Sequence, residues 1–300
     1  MRHEWIIGIG LLLGLSLGIV HGSARTYRAF IVAIAKYPAH SGWASLHADR
    51  DKELLCDCFR KYAFEDIRVC ADEAATYQRI TTELDGLVRR AEPGDRVWIH
   101  FSCHGQQMED LNGDEPDGLD EALVPYDARM YYEPGVYEGE CHLWDDELNE
   151  YLTAIRKRLG EAGEVWVSLD ACHSASATRG DESSGRRIRG TCLIFSANPG
   201  FLPPDMPGNG YVDVPLRSEA GWAPLTVLSA CQSYQDNWEC EVDGRGYGVL
   251  SYAIARAFAD YAGWPENDER FLREIDKLVR RLSPWQTPVI ESTKRAMEWD

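Results

Sequence analysis

An α/β sandwich, with a central and mostly parallel β-sheet flanked by helices, is the fold this sequence predicts. Three observations carry the prediction. Two short apolar runs, Val97 to Phe101 and Val165 to Leu169, end abruptly in Ser102-Cys103-His104-Gly105 and Asp170-Ala171-Cys172-His173-Ser174. Buried parallel strands read as continuous apolar runs, and open parallel sheets bind ligands at their carboxyl edge. Strand-like runs alternate along the chain with stretches of helical period, the pattern of a doubly wound sheet. The chain has 300 residues, 44% of them hydrophobic, which is ample for one large core.

The elements follow in order. Arg28 to Ala35 reads as a buried strand. Leu46 to Tyr62 reads as a helix, with Leu54, Leu55, Cys58 and Phe59 on its apolar side. Asp66 to Cys70 is a short strand. Thr76 is placed to cap a helix that runs to about Ala91, where Pro93-Gly94 ends it. The histidine-bearing strand comes next, then an acidic loop, a helix from about Asp145 to Leu159, and the cysteine-bearing strand. From Ser176 to Ala223 the pattern breaks, with one β-like run at Thr191 to Ser196; a stretch of this length without regular structure is usually functional or mobile. Thr226 to Ala230 resumes as a strand, and Tyr247 to Tyr261 and Phe271 to Leu282 read as helices. The expected organisation is one domain over residues 26–300 with an insertion over about 176–223.

Residues 1–24 read as a secretory signal peptide. Met1 to Glu4 precedes an apolar run from Trp5 to Val20, and small residues allow cleavage after Gly22 or Ala24. An uncleaved anchor is the alternative. Both place the domain outside the cytoplasm, in the periplasm or the extracellular medium. The net charge of -18 argues against a nucleic-acid surface and suits basic substrates. In an oxidising compartment nine cysteines leave one unpaired, so a free Cys172 and four bridges fit the count. Cys231 and Cys240 are close enough in sequence to close a small loop, although pairings are not readable from sequence. Cys56, Cys58 and Cys70 are too sparse for a zinc site.

The chemistry lies at the two strand ends. A thiol at Cys172 needs an imidazole to take its proton or stabilise its charge, and His104 stands at the end of the expected neighbouring strand. His173 is adjacent to Cys172 and so would point to the opposite face. Gly105 permits a close backbone approach, so its N–H and that of Cys172 are the expected oxyanion donors. The competing reading is that a buried cysteine is an ordinary small core residue.

These residues resemble the caspase-like peptidases, in particular the metacaspase and bacterial orthocaspase branch. Ser102-x-His104-Gly105 and Asp170-x-Cys172-His173-Ser174 are similar to its catalytic motifs. Asp117 to Pro125 resembles its acidic loop and return strand, Asp145-Asp146-Glu147-Leu148 its helix start, Ser229-Ala230-Cys231-Gln232 a later strand end, and Gly248 to Phe258 the helix after it. The resemblance implies a caspase-like sandwich and a cysteine endopeptidase with His104 as acid or base and Cys172 as nucleophile. It also implies cleavage after Arg or Lys, which requires a buried carboxylate to meet the substrate cation. Asp170 shares the nucleophile's face of the strand, and Ser102 bears the same relation to His104. Asp51 resembles a third pocket residue, with Asp49 as a rival.

Thirteen residues from Glu109 to Glu121 hold seven carboxylates. The start resembles an EF-hand loop, but Glu115 occupies the position that needs glycine. The resemblance instead implies calcium ligands at Asp120, Asp145 and Asp146; the family's fourth aspartate is missing, with Arg179 in its region. No cofactor is required by a His/Cys dyad, and calcium is the only one the resemblance raises. The cluster Arg186-Arg187-Ile188-Arg189-Gly190 lies in the insertion, where an enzyme cutting after arginine would process itself at Arg187 or Arg189. The expected partners are proteins or peptides with Arg or Lys before the scissile bond, with no nucleic acid, and a membrane only if residues 1–24 stay attached. A catalytically silent scaffold of the same fold is the alternative. A thiol hydrolase with a nucleophile elbow is disfavoured, since Asp-x-Cys-x-Ser lacks the flanking glycines.

Overall fold

The computed structural model describes residues 25–113, 115, 117–172, 187–204, 216–259, 261, 264–265 and 269–294. The expected signal segment, His173, Arg179 and Arg186 therefore lie outside the described residues. Eleven strands and five α-helices follow in chain order: β1 (Tyr27–Ala33), α1 (Ala48–Lys61), β2 (Asp66–Ala71), α2 (Tyr77–Arg90), β3 (Arg96–Ser102), β4 (His104–Glu109), β5 (Leu119–Val124), β6 (Leu143–Trp144), α3 (Asp145–Leu159), β7 (Glu164–Asp170), β8 (Leu225–Ser229), β9 (Glu239–Val242), β10 (Arg245–Gly248), α4 (Val249–Ala259), α5 (Glu269–Leu282) and β11 (Val289–Ser292).

The central sheet has the order β11-β8-β7-β3-β1-β2. All its neighbours run parallel except β11, which is antiparallel to β8. The α/β class and the mostly parallel sheet are as the sequence predicts. Strands β3 and β7 lie side by side at the centre with Ser102 opposite Asp170, so their two polar ends leave the sheet together. Each face of the sheet is covered. Helices α1, α4 and α5 pack on one side, around Leu55, Phe59, Trp98, Trp166, Phe258 and Phe271. Helices α2 and α3 pack on the other, around Phe30, Ile99, Leu84, Leu152 and Val167. Each fully buried aliphatic or aromatic side chain is worth roughly 1.5–3 kcal/mol, so this double burial is what holds the strand ends in register. Thr76 caps α2 as expected, accepting from the Arg79 N–H at 3.3 Å.

Two small units complete the edge where the polar residues emerge. Strands β4, β5 and β6 form an antiparallel sheet, and β9 and β10 form a hairpin. His104 is thus not the tail of β3 but the first residue of β4; only Cys103 separates the two strands. All nine cysteines are free. The four bridges that the count allows are thus not formed in this structure. Cys56, Cys58 and Cys240 lie in one core, and Cys70 and Cys103 in the other. Cys231 faces Cys172 rather than Cys240. Among the described residues no helix is long and apolar enough to cross a membrane.

Candidate active site

Residues 187–195 run through the cleft at the sheet's carboxyl edge as an added strand. On one side they pair with the segment leading into β9. Glu239 N donates to Arg187 O at 3.0 Å, Arg189 N donates to Asn237 O at 2.9 Å, and Ile188 bridges Trp238 antiparallel. On the other side they follow β4, with parallel bridges from Gly190 to Gly105 and from Phe195 to Met108. Phe195 is seated among the rings of Tyr132, Tyr137 and His142. The expected exposed loop is therefore corrected: Arg189 is fully buried, because its cation enters a pocket of three carboxylates.

The pocket is built from four elements. Asp51 comes from the first turn of α1, Ser102 from the end of β3, Asp170 from the end of β7, and Glu239 from the start of β9. The Arg189 guanidinium donates to Asp51 Oδ2 at 2.6 Å, Ser102 Oγ at 2.7 Å and Glu239 Oε1 at 2.9 Å. Asp170 stands back, with its carboxylate 3.9 Å from the guanidinium. It accepts from Asn237 Nδ2 at 2.9 Å, from the Ser251 N–H at 2.8 Å and from Ser251 Oγ at 2.6 Å. Ser102 Oγ donates in turn to Asp51. The rival Asp49 is exposed.

Burial works against the Arg189 charge, but Asp170, Asp51 and Glu239 overcome it and raise its affinity for the proton. Burial pushes Asp51 up to about 6, opposed by Arg189 and reinforced by Asp170. Burial would also raise Glu239, yet Arg189 and the hydrogen-bonded His47 pull it down to about 2. Gly248 at the end of β10 leaves room for both partners: a Cβ there would collide with Asp170 Oδ2 and lie 2.7 Å from Arg189 Cζ.

The main chain of Arg189 completes the picture. Its carbonyl oxygen accepts from the N–H of Cys172 at 2.9 Å and from that of Gly105 at 3.2 Å. Two backbone donors converging on one carbonyl oxygen form an oxyanion site. Both were the donors expected from the sequence. His104 Nε2 lies 2.9 Å from Ala44 O, which makes Nε2 the protonated nitrogen and leaves a lone pair on Nδ1. Nδ1 is buried and has no hydrogen-bond partner among the described residues. Trp43 stacks on the imidazole at 4.9 Å, and burial lowers the His104 pKa to about 4. The Cys172 thiol is turned to Gln235 O, at 2.9 Å, so it is parked away from the imidazole.

The carboxylates of the acidic stretch divide between two cavities. Asp145 and Asp146 are consecutive in the first turn of α3 and face different cavities. Asp145 lies with Glu115, Asp117 and Glu121, while Asp146 lies with Asp120, Asn112 and Glu147. Among the described residues no three acidic, histidine or cysteine side chains converge on one ion position. Burial, joined by the neighbouring Asp145 carboxylate, pushes Glu121 up to about 8, and burial pushes Asp145 to about 6. Asp145 therefore does not share a cavity with Asp120 and Asp146, and its buried Oδ1 has no hydrogen-bond partner among the described residues.

Comparison with known proteins agrees with this architecture. A family model described as metacaspase, peptidase C14 domain, matches residues 37–179. Metacaspase-1 of Eremothecium gossypii is 34% identical over 233 residues, which cover 66% of this chain and 49% of that protein. Metacaspase-1 of Schizosaccharomyces pombe is 29% identical over 225 residues, covering 64% and 50%. Metacaspase-1A of Aspergillus niger is 26% identical over 226 residues, covering 65% and 53%. The chain thus spans about half the length of the curated relatives it matches. A solved protein from Geobacter sulfurreducens superposes with a TM-score of 0.59 at 23% identity, over 89% of this chain and 93% of that one. Its caspase-like α/β sandwich and a C14 domain match that contains both His104 and Cys172 make the chain similar to the metacaspases.

Proposed function

We propose that this chain is a cysteine endopeptidase that cleaves after arginine or lysine, and that Arg189–Gly190 is its own first substrate bond. The observation that carries the reading is the seating of Arg189. Its side chain fills a buried anionic pocket while its carbonyl oxygen accepts two backbone hydrogen bonds beside Cys172. A peptide substrate would have to satisfy the same two sets of partners.

The chemistry follows from the geometry. A rotation of the Cys172 side chain brings Sγ from Gln235 toward the Arg189 carbonyl carbon. Burial keeps His104 neutral, so the thiol proton passes to Nδ1 as the S–C bond forms. The Cys172 and Gly105 N–H groups hold the charge that grows on oxygen. Nδ1 then protonates the Gly190 nitrogen as the C–N bond breaks, and the acyl-enzyme is released by water activated at the same nitrogen. The Nε2–H to Ala44 O bond keeps the imidazole oriented throughout. Ser102, Asp51 and Glu239 bind the cation directly. Asp170, held by Ser251 and Asn237, adds field from one step away.

The test uses fluorogenic peptides ending in Arg, Lys or Asp, with the full chain, Cys172→Ala and His104→Ala. Wild type should turn over the Arg and Lys peptides. Reduced gels and N-terminal sequencing should find a fragment beginning at Gly190, absent from Cys172→Ala. Folded single mutants that keep near-full activity, or a preference for Asp, would defeat the reading. Export remains part of the proposal, resting on residues 1–24; a protein found with an intact N-terminus in the cytoplasm would remove it.

A further inference from the structure

Cys231 has no role in the proposed hydrolysis, yet it is aimed at the nucleophile. Strands β7 and β8 are parallel neighbours with Leu169 opposite Ser229. Cys172 lies three residues beyond Leu169 and Cys231 two beyond Ser229, so the two cysteines stand one residue out of register just past adjacent strand ends. Both thiols donate to one acceptor, Gln235 O, at 2.9 Å from Cys172 Sγ and 3.3 Å from Cys231 Sγ. That oxygen is held in place by its own turn: Gln235 N donates to Gln232 O, and the Gln235 side chain accepts from Thr287 N. With strands about 4.8 Å apart and a rise of about 3.3 Å for the one-residue offset, the Cα atoms come to roughly 6 Å, within the roughly 4.4–6.8 Å that a disulfide spans.

The pair also borders a cavity. It has a volume of about 310 Å³ and is lined by both cysteines together with Leu169, Val227 and Gln232. Neither His104 nor Arg189 lines it, so it is separate from the pocket that Arg189 fills.

From this arrangement we propose that Cys172 and Cys231 are a reversible redox pair, in which a hydroperoxide oxidises the nucleophile and Cys231 closes a disulfide on it. In the first step the Cys172 sulfur attacks the hydroperoxide. An S–O bond forms, the O–O bond breaks, and the departing alkoxide or hydroxide takes the thiol proton. In the second step Cys231 Sγ attacks the sulfenic sulfur. The S–S bond forms, the S–O bond breaks, and hydroxide leaves with the Cys231 proton as water. Two thiols and one hydroperoxide give one disulfide, one alcohol or water, and one further water. A dithiol restores both thiols and is itself oxidised to a disulfide. Hydrogen bonding to Cys172 and burial hold the Cys231 thiol protonated in the resting state, so it does not compete as the first target. The inference rests on Cys172 being the nucleophile only for its effect on activity; the pairing itself does not depend on it.

The experiment treats the reduced full chain with hydrogen peroxide, blocks the remaining thiols, and maps the disulfides by peptide mass spectrometry. The expected product links the Cys172 and Cys231 peptides and disappears with dithiothreitol. If the chain has been cut at Arg189, the same bond joins the two fragments on a denaturing non-reducing gel. In Cys231→Ser the bond should be absent, and Cys172 should proceed to sulfinic and sulfonic acids that dithiothreitol does not reverse. Hydrolysis is compared with each protein's own untreated rate: near-complete, reversible loss is expected in wild type, and irreversible loss in Cys231→Ser. Persistence of a Cys172 sulfenic acid to equal extent in both proteins would overturn the proposal, as would pairing of Cys172 with Cys103 or Cys192. If the unoxidised chain hydrolyses no peptide, the peptidase reading fails, while the disulfide map still decides the pairing.

Discussion

Removing the Arg189 side chain should destabilise the protein by an amount that depends on pH. The parent is Cys172→Ala, which keeps the chain whole. In the parent a fully buried guanidinium meets Asp51 and Glu239 directly, with Asp170 3.9 Å away. Arg189→Ala leaves those carboxylates without their cation. Breaking a buried ion pair from one side costs about 3–5 kcal/mol. At about 2–4 °C per kcal/mol for a domain near this size, Tm should fall by roughly 6–20 °C at pH 8. The sign of the pH dependence follows from the protons. In the parent, Glu239 is held down at about 2, so its contribution is complete above the unfolded carboxyl pKa and is lost only as pH falls toward 2. Without Arg189, burial and mutual repulsion raise Glu239 above its unfolded value and push Asp51 further above the value of about 6 that it already has in the parent. The folded variant then binds more protons than its unfolded chain, and it loses stability as pH rises through the new values. The deficit relative to the parent should therefore be largest at pH 8 and about half or less at pH 5. Thermal unfolding followed by circular dichroism across pH 5–8 measures this. A peptide ending in arginine should restore part of the loss at pH 8 by filling the pocket. A deficit that is equal at both ends of the range would mean that only a void was created, and the electrostatic argument would fail.

Three further outcomes are expected. Gly190→Ala should remain a single chain while still hydrolysing added peptides, because a Cβ there collides with Cys172 O and lies 3.1 Å from Cys172 Cβ; reduced gels decide it. Gly248→Ala should lower kcat/KM for arginyl peptides by roughly 10- to 100-fold, the rate equivalent of an overpacking cost of about 1–3 kcal/mol; unchanged kinetics would show that the pocket relaxes around the methyl. Trp43→Ala removes the ring stacked on His104, so kcat should drop about tenfold with KM nearly constant, as for a loss felt in the transition state alone.

The parts of the fold that sequence exposes are those whose physics is local. β3 and β7 are buried on both faces and so read as unbroken apolar runs, and α2 and α3 end at caps and glycine where expected. The short edge strands β4, β9, β10 and β11 are mixed in polarity and depend on pairing partners distant in sequence, so periodicity does not reveal them. Among the site residues, His104, Gly105, Cys172, Ser102, Asp170 and Asp51 were visible because each sits at a strand or helix end with a motif around it. Glu239 was not, since it reaches the pocket from a hairpin and lies among ordinary surface acids. Ala44 was not either, because its contribution is a backbone carbonyl that any residue supplies. The basic cluster reads in sequence as a self-processing site, but the burial of Arg189 depends on the depth of a pocket assembled from four separate elements. Sequence adjacency does not show that Asp145 and Asp146 border different cavities around the first turn of α3.

The seating of Phe195 bears on how the proposed self-cleavage would end. Cleavage after Arg189 leaves Phe195 untouched in its ring of Tyr132, Tyr137 and His142, and its two backbone hydrogen bonds to β4, Phe195 N to Gln107 O at 2.8 Å and Glu109 N to Phe195 O at 3.0 Å, are not part of the broken bond. The amine released at Gly190 is therefore a leaving group that does not diffuse away. It stays beside the acyl-enzyme at high local concentration, where it can attack Cys172's thioester and remake the bond. Water must win against a tethered competitor, and the rate of maturation would be set by how often residues 190–194 peel off β4 rather than by the speed of the bond-breaking step.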